Sequence, residues 1–322
     1  FQLGLKTSFL KIMFSMLSFF RKERGTHHHG GVGAKGTIRF LRNEASDKLD
    51  FCHSKDSLSV TLRHSNASFE DDGCSQLRAM AFRIHKSDHK FDDLLLSTGA
   101  ILPFWSLASL MNFAKYRGKV KNDNWDAQKE WLKNSPTAFI AGIEAARVGP
   151  ESYTKMSYYS CIPYGIKGTN EFVKFRVMPT DMVSESGLLT SAQQRTPWIQ
   201  NRLDKNDKPE RYLANEYRER ISRKPIEYVL EAQFRVLDPK EDSAEFFNLS
   251  RYWDDSKYTW QPIAKITTAG VLDDSVTESH AFWLGNIPEG LDFMESYSAV
   301  DYNSVATGRI KIYPRPQRLR KK

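Results

Sequence analysis

Two residues near the end of the chain, Arg309 and Tyr313, have the types and spacing for chemistry at a metal. They are four residues apart, so they lie on one face of either a helix or a strand. A guanidinium beside a phenol favours the phenolate, which otherwise forms only near a pKa of about 10. A tyrosinate held in this way can be the axial ligand of a haem iron. Spacing alone more often indicates an ordinary Arg–Tyr pair on a terminal element, so further motifs must decide.

Three histidines at 27–29 lead into a glycine-rich stretch at 30–36 and then into an alternating strand. Glycine lets the backbone approach a flat ligand closely, and histidine is suited to proton transfer near neutral pH. Alternatives are a short metal-binding tract, a tag remnant or a phosphate-binding loop. The last of these lacks the strand that should precede it.

Four motifs, in this order along residues 24–315, resemble those of the catalase-related haem proteins, most closely the small coral-type allene oxide synthases and hydroperoxide lyases. They are Arg24-Gly25-Thr26-His27; Thr61–Asn66 with Asp71-Asp72-Gly73 and Arg78–Arg83; Ser97-Thr98-Gly99 through Trp105; and Asp301–Ser304 through Tyr313. Each motif alone is modest, but four in the family's order support the haem interpretation of the Arg–Tyr pair.

The resemblance implies a haem b cofactor whose iron is bound by Tyr313. Arg309 would keep this phenolate ionised. Arg63 stands where the family directs a guanidinium at a haem propionate, a charge-assisted pair. The resemblance also implies that Arg24 contacts the haem and that Phe104, or alternatively Trp105, walls the pocket, although both aromatic residues are equally plausible in a protein core.

On the opposite face of the haem, the resemblance implies a distal histidine that transfers protons to and from a bound peroxide. The motif before the histidines favours His27, because Arg24 and Thr26 then fall in the family's register. The glycines after them favour His28, and one inserted residue separates the two registers. Our prediction is His27, with His28 kept as the alternative. Ser97 stands where the family usually has asparagine, and its hydroxyl can still donate one hydrogen bond.

The resemblance implies a fatty-acid hydroperoxide as substrate, converted to an allene oxide or cleaved by a lyase reaction. In the family, a threonine before the distal histidine suppresses the catalase reaction, and Thr26 fits this pattern. Pro314 after the tyrosine is instead typical of true catalases. A lipoxygenase is the expected supplier of the substrate. Lys22 or Lys35 could hold the carboxylate of the fatty acid. The alternatives are a catalase or peroxidase acting on hydrogen peroxide, and a haem-binding protein without turnover.

The net charge and the cysteine content indicate which partners and which cellular compartment to expect. The net charge is +8 with a basic tail at 315–322, but no nucleic-acid motif accompanies it, so we expect no nucleic-acid partner. Three widely spaced cysteines favour a reducing, cytoplasmic compartment. Residues 1–23 are apolar with basic flanks, and the resemblance implies that they form a helix over the haem pocket. The alternative is a helix in peripheral contact with a membrane. The sequence leaves the oligomeric state open.

The order of elements predicts an α+β fold for residues 24–322, an antiparallel β-barrel with surrounding helices, and the resemblance implies that this barrel is catalase-like. The resemblance implies the minimal core of that fold, without the extra C-terminal helical domain of long catalases. Alternation predicts strands at Gly36–Arg42, Leu58–His64, Arg78–His85, Glu171–Met178, Ile226–Leu237 and Ile263–Ala269. Helices are predicted at Trp105–Tyr116, Asp123–Asn134, Pro136–Arg147 and Pro209–Ser222. The charged stretch Arg202–Arg211 is predicted to be a surface loop.

Overall fold

The computed structural model describes residues 29–67, 72, 76–102, 104–112, 150–181, 211–238 and 246–314. Several predictions lie outside these ranges. They concern the N-terminal helix at 1–23, the helices at Asp123–Asn134 and Pro136–Arg147, nearly all of the loop at Arg202–Arg211, and the site residues Arg24, Thr26, His27 and His28.

Eight antiparallel strands close into a barrel, as the sequence predicts. The ring runs β1-β2-β3-β4-β5-β7-β8-β9 and returns to β1, while β6 and β10 extend the sheet beside β7. The strands are β1 (His29–Phe40), β2 (Ser57–Asn66), β3 (Arg78–His85), β4 (Phe91–Ser97), β5 (Tyr158–Tyr159), β6 (Tyr164–Ile166), β7 (Glu171–Pro179), β8 (Ile226–Val236), β9 (Gln261–Leu272) and β10 (Leu291–Asp292). All six predicted strands are present, whereas β4 and the short strands were not predicted.

The barrel interior is the hydrophobic core, and the alternation along each strand explains why. In β2, Leu58, Val60 and Leu62 point inward and are buried, whereas Ser57 and Ser59 are exposed. Successive side chains of a strand point to opposite faces, so the intervening positions of β1 to β4 form an outer wall. That outer wall presents Arg63 and Ser97.

A glycine in β1 allows the barrel to close against β9. The pairing of β1 with β9 shifts register between Lys35 and Gly36. A Cβ at Gly36 would lie 2.1 Å from the carbonyl oxygen of Thr267 and 2.8 Å from the Cα of Thr268. Only glycine therefore allows the two backbones to approach this closely.

Four helices in the described part of the chain pack outside the barrel strands: α1 (Glu44–Asp47), α2 (Tyr212–Arg223), α3 (Asp274–Ser279) and α4 (Ser304–Ile312). Residues 107–112 are also helical, which agrees with the start of the predicted helix at Trp105–Tyr116. None of the described helices is long and apolar enough to cross a membrane.

Helix α2 confirms the helix predicted at Pro209–Ser222, but its N-terminus is stabilised from a distant part of the sequence. The side chain of Arg211, at the N-cap position, makes no capping hydrogen bond. Instead, the backbone N–H of Leu213 donates to Oδ2 of the buried Asp72 at 2.8 Å. Asp72 Oδ1 also accepts from Asn66 at 2.6 Å, so the carboxylate joins the end of β2 to the start of α2. An acceptor at a helix N-terminus satisfies an otherwise orphaned donor.

Candidate haem site

The predicted proximal pair is brought together by helix α4. Arg309 lies in its last turn and Tyr313 at its C-cap. Arg309 Nε donates a hydrogen bond of 3.0 Å to the Tyr313 hydroxyl. The guanidinium carbon also lies 5.4 Å from the centroid of the Tyr313 ring. The sequence allowed either a helix or a strand here, and the structure shows a helix.

The electrostatics of this pair maintain the charge on the arginine. Burial acts against the charged form of Arg309, but the charge and hydrogen bond of Tyr313 outweigh it, and Tyr164 and Cys161 add to the effect. The pKa of Arg309 is therefore raised above its usual value. A permanently charged donor bonded to a phenol oxygen suits a tyrosinate ligand.

Contacts along its length fix α4 in place. The backbone N–H of Leu107 donates to Ser304 Oγ at 2.8 Å. A Cβ at Gly308 would lie 2.8 Å from Cδ1 of Leu107, so the helix packs closely against residues 107–112. Farther along, Trp283 Nε1 donates to the carbonyl of Ile310 at 3.1 Å. These contacts hold the backbone that carries Arg309 and Tyr313.

The outer wall of the barrel presents a cation among small residues. Gly33 of β1 is paired with Arg63 of β2, and Arg63 with Ala81 of β3. The side chain of Arg63 is 4% exposed, and its Nη2 lies 2.8 Å from Oε1 of Glu278 in α3. A Cβ at Gly31 would be 2.5 Å from the same Nη2. The predicted role of Arg63 at a haem propionate stays a prediction, and its partner on α3 was not predicted.

At the far end of β4, the predicted wall residue Ser97 has an unexpected neighbour. Cys161 Sγ lies 3.6 Å from Ser97 Oγ, and both groups point to the carbonyl of Gly99, at 2.9 Å for the thiol and 3.4 Å for the hydroxyl. Burial raises the pKa of the Cys161 thiol, so it stays protonated and can donate. Cys161 has a φ of 59°, the one positive φ at a non-glycine position in the described residues. Sequence reasoning missed Cys161, because nothing local marks it.

His64, next to Arg63 in the chain, points to the opposite side of the strand. It is fully buried inside the barrel and stacks on Tyr153 with ring centroids 4.6 Å apart. Its Nε2 lies 3.2 Å from the Tyr228 hydroxyl. Burial, and secondarily the charge of Arg63, lower the pKa of His64 to about 3. The imidazole is therefore neutral at ordinary pH.

These residues fit a haem in three respects. Tyr313 supplies an oxygen donor supported by a cation, Arg63 supplies a buried cation for a carboxylate, and Gly31 and Gly33 leave backbone without side chains beside Arg63. The aromatic ring of Phe104 packs against the hydrophobic core and is partly buried. Its predicted haem contact stays a prediction, as do the roles of the residues outside the described ranges.

The fold that carries this site is that of the catalases. Over 95% of this chain, it matches catalase A from Saccharomyces cerevisiae with a TM-score of 0.72, and a fungal and a bacterial catalase with TM-scores of 0.71. Sequence identity is 16% in each case, and the match covers 63%, 61% and 59% of those chains, respectively. The catalase-like barrel predicted from the sequence is thereby confirmed.

In sequence, the chain is similar to the allene oxide synthase-lipoxygenase protein of the coral Plexaura homomalla, with 30% identity over 99% of this chain. The chain spans 30% of the length of that coral protein. It is also 25% identical to an uncharacterised protein of Sinorhizobium fredii, over 51% of this chain and 73% of that protein. No family model matches. The fold and the coral relative together confirm the predicted resemblance to the catalase-related, coral-type allene oxide synthases.

Proposed function

We propose that this protein is a haem enzyme that transforms fatty-acid hydroperoxides, as an allene oxide synthase or a hydroperoxide lyase. The observation that carries the proposal is the 3.0 Å hydrogen bond from Arg309 Nε to the Tyr313 hydroxyl. The similarity to the coral protein named allene oxide synthase-lipoxygenase supports a lipid hydroperoxide as substrate. It also supports a lipoxygenase as the enzyme that supplies this substrate.

When bound, ferric haem would supply the one-electron chemistry that breaks the peroxide O–O bond. In this proposal Tyr313 would bind the iron through its oxygen, and Arg309 would support that oxygen with its charge and its hydrogen bond. Arg63 would hold a propionate at the outer wall of the barrel. His27 or His28 would move a proton at the peroxide. The thiol of Cys161 and the hydroxyl of Ser97 line the wall where the family usually presents an amide.

A second candidate is a catalase or peroxidase that acts on hydrogen peroxide. The observation that favours it is the catalase fold itself, together with Pro314 directly after the tyrosine. A haem-binding protein without turnover is the third candidate. Its support is the engagement of both Ser97 and Cys161 with the carbonyl of Gly99.

The test is stopped-flow spectroscopy of the haem-loaded protein with a fatty-acid hydroperoxide, run in parallel with hydrogen peroxide. Rapid loss of the conjugated-diene absorbance with little oxygen release is the expected result. Vigorous oxygen release with the lipid unchanged would establish the catalase candidate, and no response to either peroxide would establish the binding protein.

The ligand assignment has its own test. Tyr313→Phe removes the proposed ligand, and we expect it to abolish the tyrosinate-type haem spectrum. Tyr297→Phe is the matched control, because Tyr297 is in the same segment but 79% exposed. A spectrum that is unchanged in Tyr313→Phe would overturn the assignment.

A further inference from the structure

The ion pair between Arg63 and Glu278 has one buried and one accessible partner. The Arg63 side chain is 4% exposed, whereas that of Glu278 is 49% exposed. A buried guanidinium requires an anion beside it, because an uncompensated buried charge is strongly destabilising. A half-exposed carboxylate loses much less when it returns to water. Arg63 is thus a fixed anion site, and Glu278 is an anion that can be exchanged.

Helix α3, which carries Glu278, is short and mostly exposed. It has six residues, no side-chain capping bond at Asp273, and Thr277 as its one buried residue. Its ion pair to α2, between Asp274 and Arg218 at 2.6 Å, lies in the exposed surface, where such pairs contribute little. Short elements with few buried contacts open most readily.

The contact of α3 with the barrel is made at the glycine positions of β1. A Cβ at Gly33 would lie 2.3 Å from Thr277 Oγ1, and one at Gly31 would lie 2.5 Å from Arg63 Nη2. The helix and the Arg63 guanidinium therefore both lie directly against β1 backbone that carries no side chain. A flat ligand that approaches this backbone to reach Arg63 must compete with Glu278.

We propose that α3 is a gate, in which Glu278 occupies the anion site at Arg63 until a carboxylate of the ligand replaces it. This inference rests on the proposed function, in which that carboxylate is a haem propionate. Arg63 keeps an anionic partner in both states, so the exchange avoids the penalty of an unpaired buried charge. Because both anions compete for Arg63, occupation of the site by one weakens binding of the other.

The test is titration of the haem-free protein with ferric haem b and with its dimethyl ester, which has no carboxylates. Glu278→Gln removes the competing charge and keeps the side-chain shape, so it should bind haem about fivefold more tightly, as expected for a partly exposed ion pair. Its affinity for the dimethyl ester should equal that of the wild type. The matched control is Asp274→Asn on the same helix, which should change neither affinity.

Hydrogen exchange of the amides at 274–279 gives a second measurement, and haem should accelerate it in the wild type. Weaker haem binding in Glu278→Gln would show that Glu278 positions Arg63, and would overturn the gate. An equal gain with the dimethyl ester, or protection of 274–279 by haem, would also overturn it. If haem binds as expected but no peroxide is consumed, the proposed function fails and the gate stands. If the wild type binds no haem, both fail.

Discussion

The hydrogen bond of Arg309 comes from Nε, which places the plane of the guanidinium edge-on to the Tyr313 hydroxyl. A lysine would retain the charge but has a flexible point-charge ammonium in place of a rigid planar donor set. Charge and orientation can therefore be separated at this residue by a conservative substitution.

Arg309→Lys should lower haem affinity or peroxide turnover by about 10- to 100-fold, the usual cost of losing a group that orients a metal ligand. Haem titration monitored at the Soret band measures the affinity. Lys311→Gln is the control, because Lys311 is exposed on the same helix. Equal affinities in Arg309→Lys and the wild type would show that charge alone is sufficient.

His64 gives the barrel interior a defined response to acid. In the folded protein its pKa is lowered to about 3, from 6.5, so below pH 6.5 the unfolded chain binds more protons. His64 should therefore lower the free energy of unfolding by about 1.4 kcal/mol for each pH unit as the pH falls from 6.5 to about 3. Above pH 6.5, His64 should have no effect on the free energy of unfolding. Urea unfolding as a function of pH measures it. His64→Gln should lose stability less steeply in this window, and parallel pH curves for the two proteins would contradict the assignment.

Local spacing explains which residues of the site could be predicted. Arg309 and Tyr313 are four apart, so any regular element places them together. The partners Glu278 and Cys161 come from segments 215 and 64 residues away from Arg63 and Ser97. Such pairs depend on strand order and helix placement, which no local pattern specifies. The inward orientation of His64 follows from alternation once Leu62 is recognised as a core residue.

Among the elements, the strands of the barrel were predictable because their alternation repeats over many residues. The short strands β5, β6 and β10 have two or three residues each, too few for a period to be recognised. Helix α3 was also missed, since six residues with one buried position give no amphipathic pattern.

Because β1 approaches β9 closely, substitution of Gly36 by alanine should reduce the stability of the protein much more than the same substitution at Gly270. Gly36→Ala should destabilise the protein by about 1–3 kcal/mol or more, because its Cβ would meet backbone atoms of Thr267 and Thr268 that cannot rotate away. Gly270→Ala should cost much less, since its nearest neighbour is Cε of the flexible Lys35 side chain, at 3.0 Å. Denaturant midpoints compare the two. Equal losses would mean that the strands can separate at Gly36.

At the scale of the whole molecule, two thiols report on the integrity of the barrel. Cys52 and Cys161 are free and buried, and burial raises the pKa of Cys52 to about 12. Thiolates, not thiols, react with disulfide reagents, so neither should react while the protein is folded.

In a Cys74→Ser variant, which leaves these two cysteines, a thiol reagent at mildly alkaline pH should label nothing until the protein unfolds. Both thiols should then be labelled at the rate at which the circular dichroism signal of the strands is lost. Earlier labelling of Cys161 alone would show that the wall beside Ser97 opens independently of the barrel.

The carboxylate of Asp72 has a kinetic consequence. It caps a helix that begins 140 residues later in the chain, so this cap can form only after the two segments meet. Contacts between distant segments usually form late in folding. Asp72→Ala should therefore accelerate unfolding and leave the refolding rate nearly unchanged, and a chevron plot would separate the two rates. A slowed refolding arm would instead place the meeting of β2 and α2 within the folding nucleus.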